Sequence, residues 1–210
     1  MIWIDFMLIA LLLFALIAGA KRGLFSGING SIGLIGGIIV AVTYTDTITH
    51  RVLSHMRVSP VAVTLLSFLF FFVLVYFFFK ILGYLFYKFA ELKRLGRIGS
   101  VGGAIFGVFQ GWIILGFLLI LLIFLPLPQG FVRAVDSSVL APMMRGTIPF
   151  IYEESAPLHP QSPNFIEKIE KALDVDPVGN PLQGGEDMVL EEMNRSEKII
   201  RYMKDCFGSR

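Results

Sequence analysis

Four long apolar stretches, separated by short polar segments, dominate the first part of the chain. They lie at about residues 2–20, 27–44, 61–79 and 103–125. A helix needs about 20 apolar residues to cross a bilayer, and each stretch is close to that length. The pattern therefore predicts an all-α integral membrane protein, with a domain of four transmembrane helices over residues 1–132.

The first stretch has the charge order of a retained transmembrane helix. A signal peptide carries its positive charge before the apolar run and a small-residue cleavage site after it. Here Asp5 stands near the start of the run, and Lys21 and Arg22 follow it. We expect this segment to stay in the membrane.

The part of the chain after residue 132 differs in composition from the four apolar stretches. Seven of the ten prolines lie after residue 132, so we expect a Pro-rich post-membrane segment over 133–163, ending in an extended linker at 156–163. Residues 164–210 are predicted to form a tail with short amphipathic helices. Apolar residues recur at helical spacing in 164–173 and 186–207, with a break between them.

Composition excludes an ordinary soluble domain. Of 210 residues, 55% are hydrophobic and 16% are charged, whereas soluble domains carry about 25% charged residues. The membrane part has a net charge of +6 and the part after residue 132 has −4. The overall +2 is thus an average of a basic membrane domain and an acidic tail, and we expect no nucleic-acid partner.

Basic residues in the loops predict the orientation. Cytoplasmic loops carry an excess of Lys and Arg. The first and third loops share a side and hold seven basic residues: 21, 22, 80, 88, 93, 94 and 97. The other side holds four: 51, 57, 133 and 145. We expect both termini outside the cytoplasm.

Glycines mark the predicted packing surfaces. The fourth stretch contains four glycines at an unbroken spacing of four residues, and the second begins with a similar set: Gly99, Gly103, Gly107 and Gly111, and Gly23, Gly27 and Gly30. Such stripes let helix backbones approach closely in lipid. They predict a packing seam inside one bundle, or alternatively a homo-oligomer seam or a glycine-lined conduit. The third stretch instead carries phenylalanines all round and is expected to face lipid over much of its surface.

Two polar residues inside the apolar stretches are candidate functional groups. Asp5 could act in function, or could reach the membrane interface and favour the positive end of the helix dipole. Gln110 stands between Gly107 and Gly111 and could bond across helices. The lone Cys206 cannot form an internal disulfide. We predict no catalytic residue, no cofactor and no metal site.

Several segments carry a resemblance to a known family. They are Ile2-Trp3-Ile4-Asp5, Lys21-Arg22-Gly23-Leu24-Phe25, Gly103-Ala104-Ile105-Phe106-Gly107 and Asp136-Ser137-Ser138-Val139-Leu140-Ala141-Pro142. In order and spacing, over about residues 1–155, they resemble the colicin V production protein (CvpA) family. The chain departs from the family pattern at Gly99-Ser100, where an Asp-Arg pair is common, and at Gln110, where a basic residue is common.

The resemblance implies a bacterial inner-membrane protein with four helices. The family is associated with colicin V production or export and with envelope integrity, and is not known as an enzyme. The expected partners are the lipid bilayer and other membrane or envelope proteins, or a second copy of the chain. The alternative from another class is a small channel or transporter component with an oligomeric, glycine-lined path.

Overall fold

The computed structural model describes residues 3–53, 59–89, 96–158, 164–173 and 186–207. Four helices in these ranges are long and apolar enough to cross a membrane: α1 (Trp3–Arg22), α2 (Leu24–Leu53), α3 (Pro60–Phe89) and α4 (Gly96–Phe124). They lie at the four predicted positions. The chain is thus an all-helical, multi-pass membrane protein.

Three of the long helices exceed the thickness of the bilayer core. α2 and α3 have 30 residues each and α4 has 29. At 1.5 Å per residue they are about 45 Å long, against roughly 30 Å of hydrocarbon. Lys80, which the sequence assigns to a loop, lies within α3, with its ammonium 5.5 Å from the centre of the Phe77 ring. The ends of these helices can therefore project into the polar regions.

A single residue, Gly23, connects α1 to α2. Its φ is +88°, in the left-handed region that favours glycine. Its N–H donates to the carbonyl of Gly19 at 3.0 Å. The chain therefore reverses between two long helices with almost no loop.

A second layer of helices covers one end of the bundle. It consists of α5 (Gln129–Asp136), α6 (Leu140–Glu154), a 3-10 turn (Ala156–Leu158), α7 (Phe165–Leu173) and α8 (Glu186–Phe207). We call α5 to α8 the cap. It meets the beginnings of α1 and α3 and the ends of α2 and α4, as the contacts below show. These four helix ends therefore lie on one side.

The Pro-rich segment is more helical than the sequence suggests. α6 runs through residues 140–154 and includes Pro142 and Pro149. Pro142 lies in the first turn, where a backbone N–H has no helical partner in any case. Of the predicted linker, 156–158 form the 3-10 turn instead of extended chain, and 159–163 lie outside the described residues, as does the predicted break at 174–185. α7 and α8 occupy the two segments with amphipathic spacing.

Aromatic side chains build the core that joins α3 to α4. The Phe72 and Phe117 rings stack with centres 3.8 Å apart, and Phe68 lies 5.0 Å from Phe117. Tyr152 and Phe165 of the cap are fully buried in the same cluster. Among the described side chains of α3, Phe68 and Phe72 are thus buried, while others, such as Phe70 and Phe78, are 61% exposed.

Candidate functional site

Asp5 binds the beginning of α6. Its carboxylate accepts hydrogen bonds from Ser138 Oγ at 2.6 Å, Val139 N at 3.1 Å and Leu140 N at 3.0 Å. Ser138 Oγ also accepts a bond from Ala141 N at 3.0 Å. The first N–H groups of a helix lack intrahelical acceptors and attract negative charge. Asp5 therefore joins the start of α1 to the start of α6.

Replacing Asp5 with alanine should loosen the start of α6. The amides of Val139 and Leu140 would lose their acceptor, so we expect faster hydrogen exchange there, measured by mass spectrometry on purified protein. Asp5→Asn, which keeps one acceptor oxygen, should give a smaller change. Asp205→Ala, at an exposed position of α8, is the control. Unchanged exchange at residues 138–141 in Asp5→Ala would contradict this role.

α7 is held against α2 by a largely buried ion pair. Lys168 Nζ lies 2.7 Å from Asp46 Oδ2 and donates to the Thr43 carbonyl at 3.1 Å. The two side chains are 10% and 17% exposed. Two bonds from one lysine to one short segment fix the register between α7 and the end of α2.

The end of α7 is bound by polar side chains of the bundle. Thr64 Oγ1 donates to the carbonyl of Ala172 at 3.2 Å, and His50 Nε2 lies 3.0 Å from the carbonyl of Lys171. The last carbonyls of a helix have no intrahelical donor. α2 and α3 supply those donors, so the last carbonyls of α7 are hydrogen-bonded to the bundle.

Arg145 forms the third polar contact, inside the cap. Arg145 is 5% exposed. Its guanidinium donates to Asp136 Oδ1 at 3.2 Å and to the Tyr202 hydroxyl at 2.9 Å. Tyr202 in turn donates to Asp136 at 2.5 Å. Burial and the bond to Asp136 raise the pKa of the Tyr202 hydroxyl. The cluster links α5, α6 and α8.

Cys206 lies next to this cluster and should react slowly. Burial raises the pKa of its thiol, and the thiolate is the reactive form. We expect maleimide labelling in folded protein to be slower than in denatured protein at pH 7. The difference in rate should shrink as the pH rises and the folded thiol also ionises. Labelling rates in detergent and in guanidinium chloride test this. Equal rates at pH 7 would contradict it.

The glycines of α4 face α1. A Cβ atom on Gly107 would lie 2.5 Å from the carbonyl oxygen of Ala15 and 2.8 Å from the Cα of Gly19. A Cβ on Gly103 would meet the carbonyl of Gly19, which the sequence analysis did not include in the seam. Such separations leave no room for a side chain, so backbone packs directly on backbone.

The neighbouring glycines extend this contact. A Cβ on Gly111 would lie 2.6 Å from the Cβ of Ala15. Gly99 is buried, and its carbonyl oxygen lies 3.9 Å from the position of a Cβ on Gly23. The four-residue stripe of α4 is therefore covered by α1 and the turn that follows it.

Gln110 bridges α4 and α2. Its Nε2 donates to the carbonyl of Gly27 at 2.5 Å and lies 3.5 Å from Ser31 Oγ. A Cβ on Gly30 would lie 2.7 Å from the same Nε2, and one on Gly27 would lie 2.6 Å from the Cβ of Phe106. The α2 glycines thus leave space for α4 side chains, and the glutamine satisfies its amide across the helices.

The family assignment follows from a comparison with protein families. The family model described as colicin V production protein matches residues 4–149. The chain belongs to the colicin V production protein family. No curated protein and no solved structure matches the chain.

The match to the colicin V production proteins contains the Asp5 contact completely and each of the other two polar contacts only in part. Asp5, Ser138, Asp136 and Arg145 all lie within the matched residues, whereas Lys168 and Tyr202 lie beyond them. The attachment of α6 to α1 therefore belongs to the family region. Lys168 of the α7 ion pair and the hydroxyl of Tyr202 come from the part of the chain after it, whereas Asp46, the partner of Lys168, lies within the match.

Sequence reasoning identified Asp5 and Gln110 but missed their partners. It also treated Arg145 as a loop charge, whereas the structure buries it against Asp136. The available signal for the burial of Arg145 was that it is the single arginine in a mostly apolar segment. Within the described part of the chain, no group of three or more His, Cys, Asp or Glu side chains is placed to hold a metal ion.

Proposed function

We propose that this member of the colicin V production family is a non-enzymatic protein of the bacterial inner membrane. It supports colicin V production or export, or envelope homeostasis, by contacting other membrane or envelope proteins. The charged side chains at the cap support this role, because Asp5, Lys168 and Arg145 are all engaged in holding helices together. The cap is thus a fixed surface for a partner.

The observation that carries the proposal is an apolar face on α6. Val139, Met143 and Phe150 are 72%, 59% and 51% exposed, and they recur at helical spacing. α6 is attached to the bundle through its opposite, buried face, which includes Met144 and Ile148. Exposed apolar groups on a firmly held helix fit a contact with another membrane or envelope protein.

The test is complementation of cells that lack this protein. We would measure colicin V in the medium and leakage of a periplasmic reporter. The wild-type chain should restore both, while Met143→Glu should accumulate normally yet fail to restore at least one. Glu153→Gln, on an exposed polar position of the same helix, is the control. Full restoration by Met143→Glu would remove the α6 face from the proposal.

We also propose that the cap lies outside the cytoplasm, with both termini on that side. Close to the spanning helices, the opposite end carries the exposed Lys21, Arg22, Lys80 and Arg97. The cap side carries the exposed Arg51 and Arg133, while Arg145 is buried and paired with Asp136. The excess of exposed basic residues therefore favours the opposite end as cytoplasmic.

Cysteine labelling in a Cys206→Ala background tests the orientation. An impermeant maleimide should label Glu197→Cys, on the exposed side of α8, in intact cells. It should label Ser26→Cys, near the opposite end, only after lysis. The reverse result would invert the proposed topology.

The glycine contacts weigh against a glycine-lined channel. Gly27, Gly103 and Gly107 already contact other helices of the same chain, so they are not free to line an oligomeric path. We expect liposomes holding the purified protein to show no ion or solute flux above empty liposomes. Flux through such liposomes would favour the channel.

A further inference from the structure

A cavity of about 700 Å³ lies where the end of α4 meets the cap. Pockets for small molecules have volumes of about 300–1,000 Å³. Its walls are mostly apolar and come from the last turns of α4, from α5 and from α8. The cavity is therefore large enough for part of an amphiphilic molecule.

The polar groups of this cavity are mainly basic. Arg145, Arg195 and Lys198 line it, and none of the described residues that line it is acidic. Arg195 also donates to the carbonyl of Phe124 at 3.2 Å, which holds it at the end of α4. The lining thus combines an apolar surface with positive charge at one place.

Arg145 adds a buried donor. Its side chain is 6% exposed, and its Nε has no hydrogen-bond partner among the described residues, although both Nη atoms are bonded to Asp136. A buried polar group without a partner is costly and is rare in folded proteins. An anionic ligand in the adjoining cavity would supply an acceptor.

The position of the cavity points to the bilayer as the source of that ligand. α4 is one of the four membrane-spanning helices, and it ends at Phe124 beside the cavity. The end of a spanning helix lies at the level of the lipid headgroups. Leu125, in the cavity wall, is 43% exposed. Acyl chains and headgroups are both available at this depth.

We propose that this cavity binds an anionic phospholipid of the surrounding bilayer. Its phosphate is bound by Lys198, Arg195 and Arg145, and an acyl chain lies against the apolar walls from α4 and α5. Phosphate oxygens accept hydrogen bonds from guanidinium and ammonium groups, and apolar burial holds the chain. The proposal goes beyond the proposed function and holds for either orientation of the protein.

Native mass spectrometry of the delipidated, full-length protein in detergent tests the site. Phosphatidylglycerol and phosphatidylcholine with identical acyl chains are the probes. We expect phosphatidylglycerol to bind about fivefold better, the factor that one basic group near an anionic lipid contributes. Equal binding of the two lipids would overturn the proposal.

Two variants on α8 form a matched pair. Lys198→Glu should abolish the preference for phosphatidylglycerol. Arg201→Glu makes the same change of charge on the same helix, at a side chain that is 75% exposed and outside the cavity lining, and should keep the preference. Circular dichroism confirms that both are folded. A Lys198→Glu variant that behaves like wild type would overturn the proposal.

A third variant and a competitor locate the lipid and its source. Val132→Trp fills the cavity from α5 and should reduce the binding of both lipids; unchanged binding would overturn the location. Glycerol 3-phosphate, at the lipid concentration, should not displace phosphatidylglycerol. Displacement would assign the site to a free anion and overturn the phospholipid.

Discussion

Gly107→Leu should lower the free energy of unfolding by about 3 kcal/mol, because the new side chain has no space at the crossing of α1 and α4. Even a Cβ there would lie 2.5 Å from the backbone of Ala15, which cannot move without shifting α1. We expect less protein in the membrane and a lower melting temperature in detergent, measured by size-exclusion chromatography after heating. Gly103→Leu should behave in the same way.

Gly130→Leu is the matched control. Gly130 lies on α5, where an added Cβ meets no atom within 4 Å, so leucine should be tolerated. If Gly107→Leu and Gly130→Leu gave the same melting temperature and membrane level as wild type, the close contact between α1 and α4 would be refuted.

Arg145→Met should release α8 from α5 and α6. Removing one partner of a buried ion pair costs about 3–5 kcal/mol, but Asp136 is 36% exposed and can be hydrated, so we expect about 2 kcal/mol. The variant also loses the contact of the guanidinium with the Tyr202 ring, 5.5 Å away. Cys206, half-buried beside this cluster, should then react faster with maleimide at pH 7, because loss of burial outweighs loss of the Arg145 charge, which lowers the pKa of the thiol.

Arg201→Met separates this effect from a general loss of positive charge. Arg201 is on the same helix and pairs with Glu197 at the surface. Exposed ion pairs of this kind contribute about 0.3–0.5 kcal/mol. Its Cys206 labelling rate should match wild type. If Arg145→Met also labelled at the wild-type rate, the Arg145 cluster would not be what holds α8.

Local patterns were enough to predict the four spanning helices, α7 and α8. A run of about 20 apolar residues or a helical spacing of apolar residues depends only on neighbours in the sequence, which is why the four spanning helices, α7 and α8 could be predicted. α6 was missed because its prolines favour a linker. Pro142 is tolerated in the first turn, and Pro149 is buried against the bundle, so tertiary packing decides the outcome.

Partners across the fold could not be predicted in the same way. The glycine spacing in α4 defines a face, but Gly19 on α1 became its partner only through the antiparallel arrangement. Asp5 and Ser138 are 133 residues apart, and nothing near Asp5 indicates which backbone it binds. Arg145 needed both a nearby acid and Tyr202, 57 residues later. Such contacts depend on topology rather than on local preference.

The bond between Asp5 and α6 can form only after residues 138–140 have been synthesised. Asp5 leaves the ribosome before its hydrogen-bond donors, the amides of Val139 and Leu140, which are made 134 and 135 residues later. α1 can therefore enter the membrane while its carboxylate still faces water or lipid headgroups. Nascent chains stopped before residue 138 should hold the four spanning helices without this bond, so the attachment of α6 follows the synthesis of those helices.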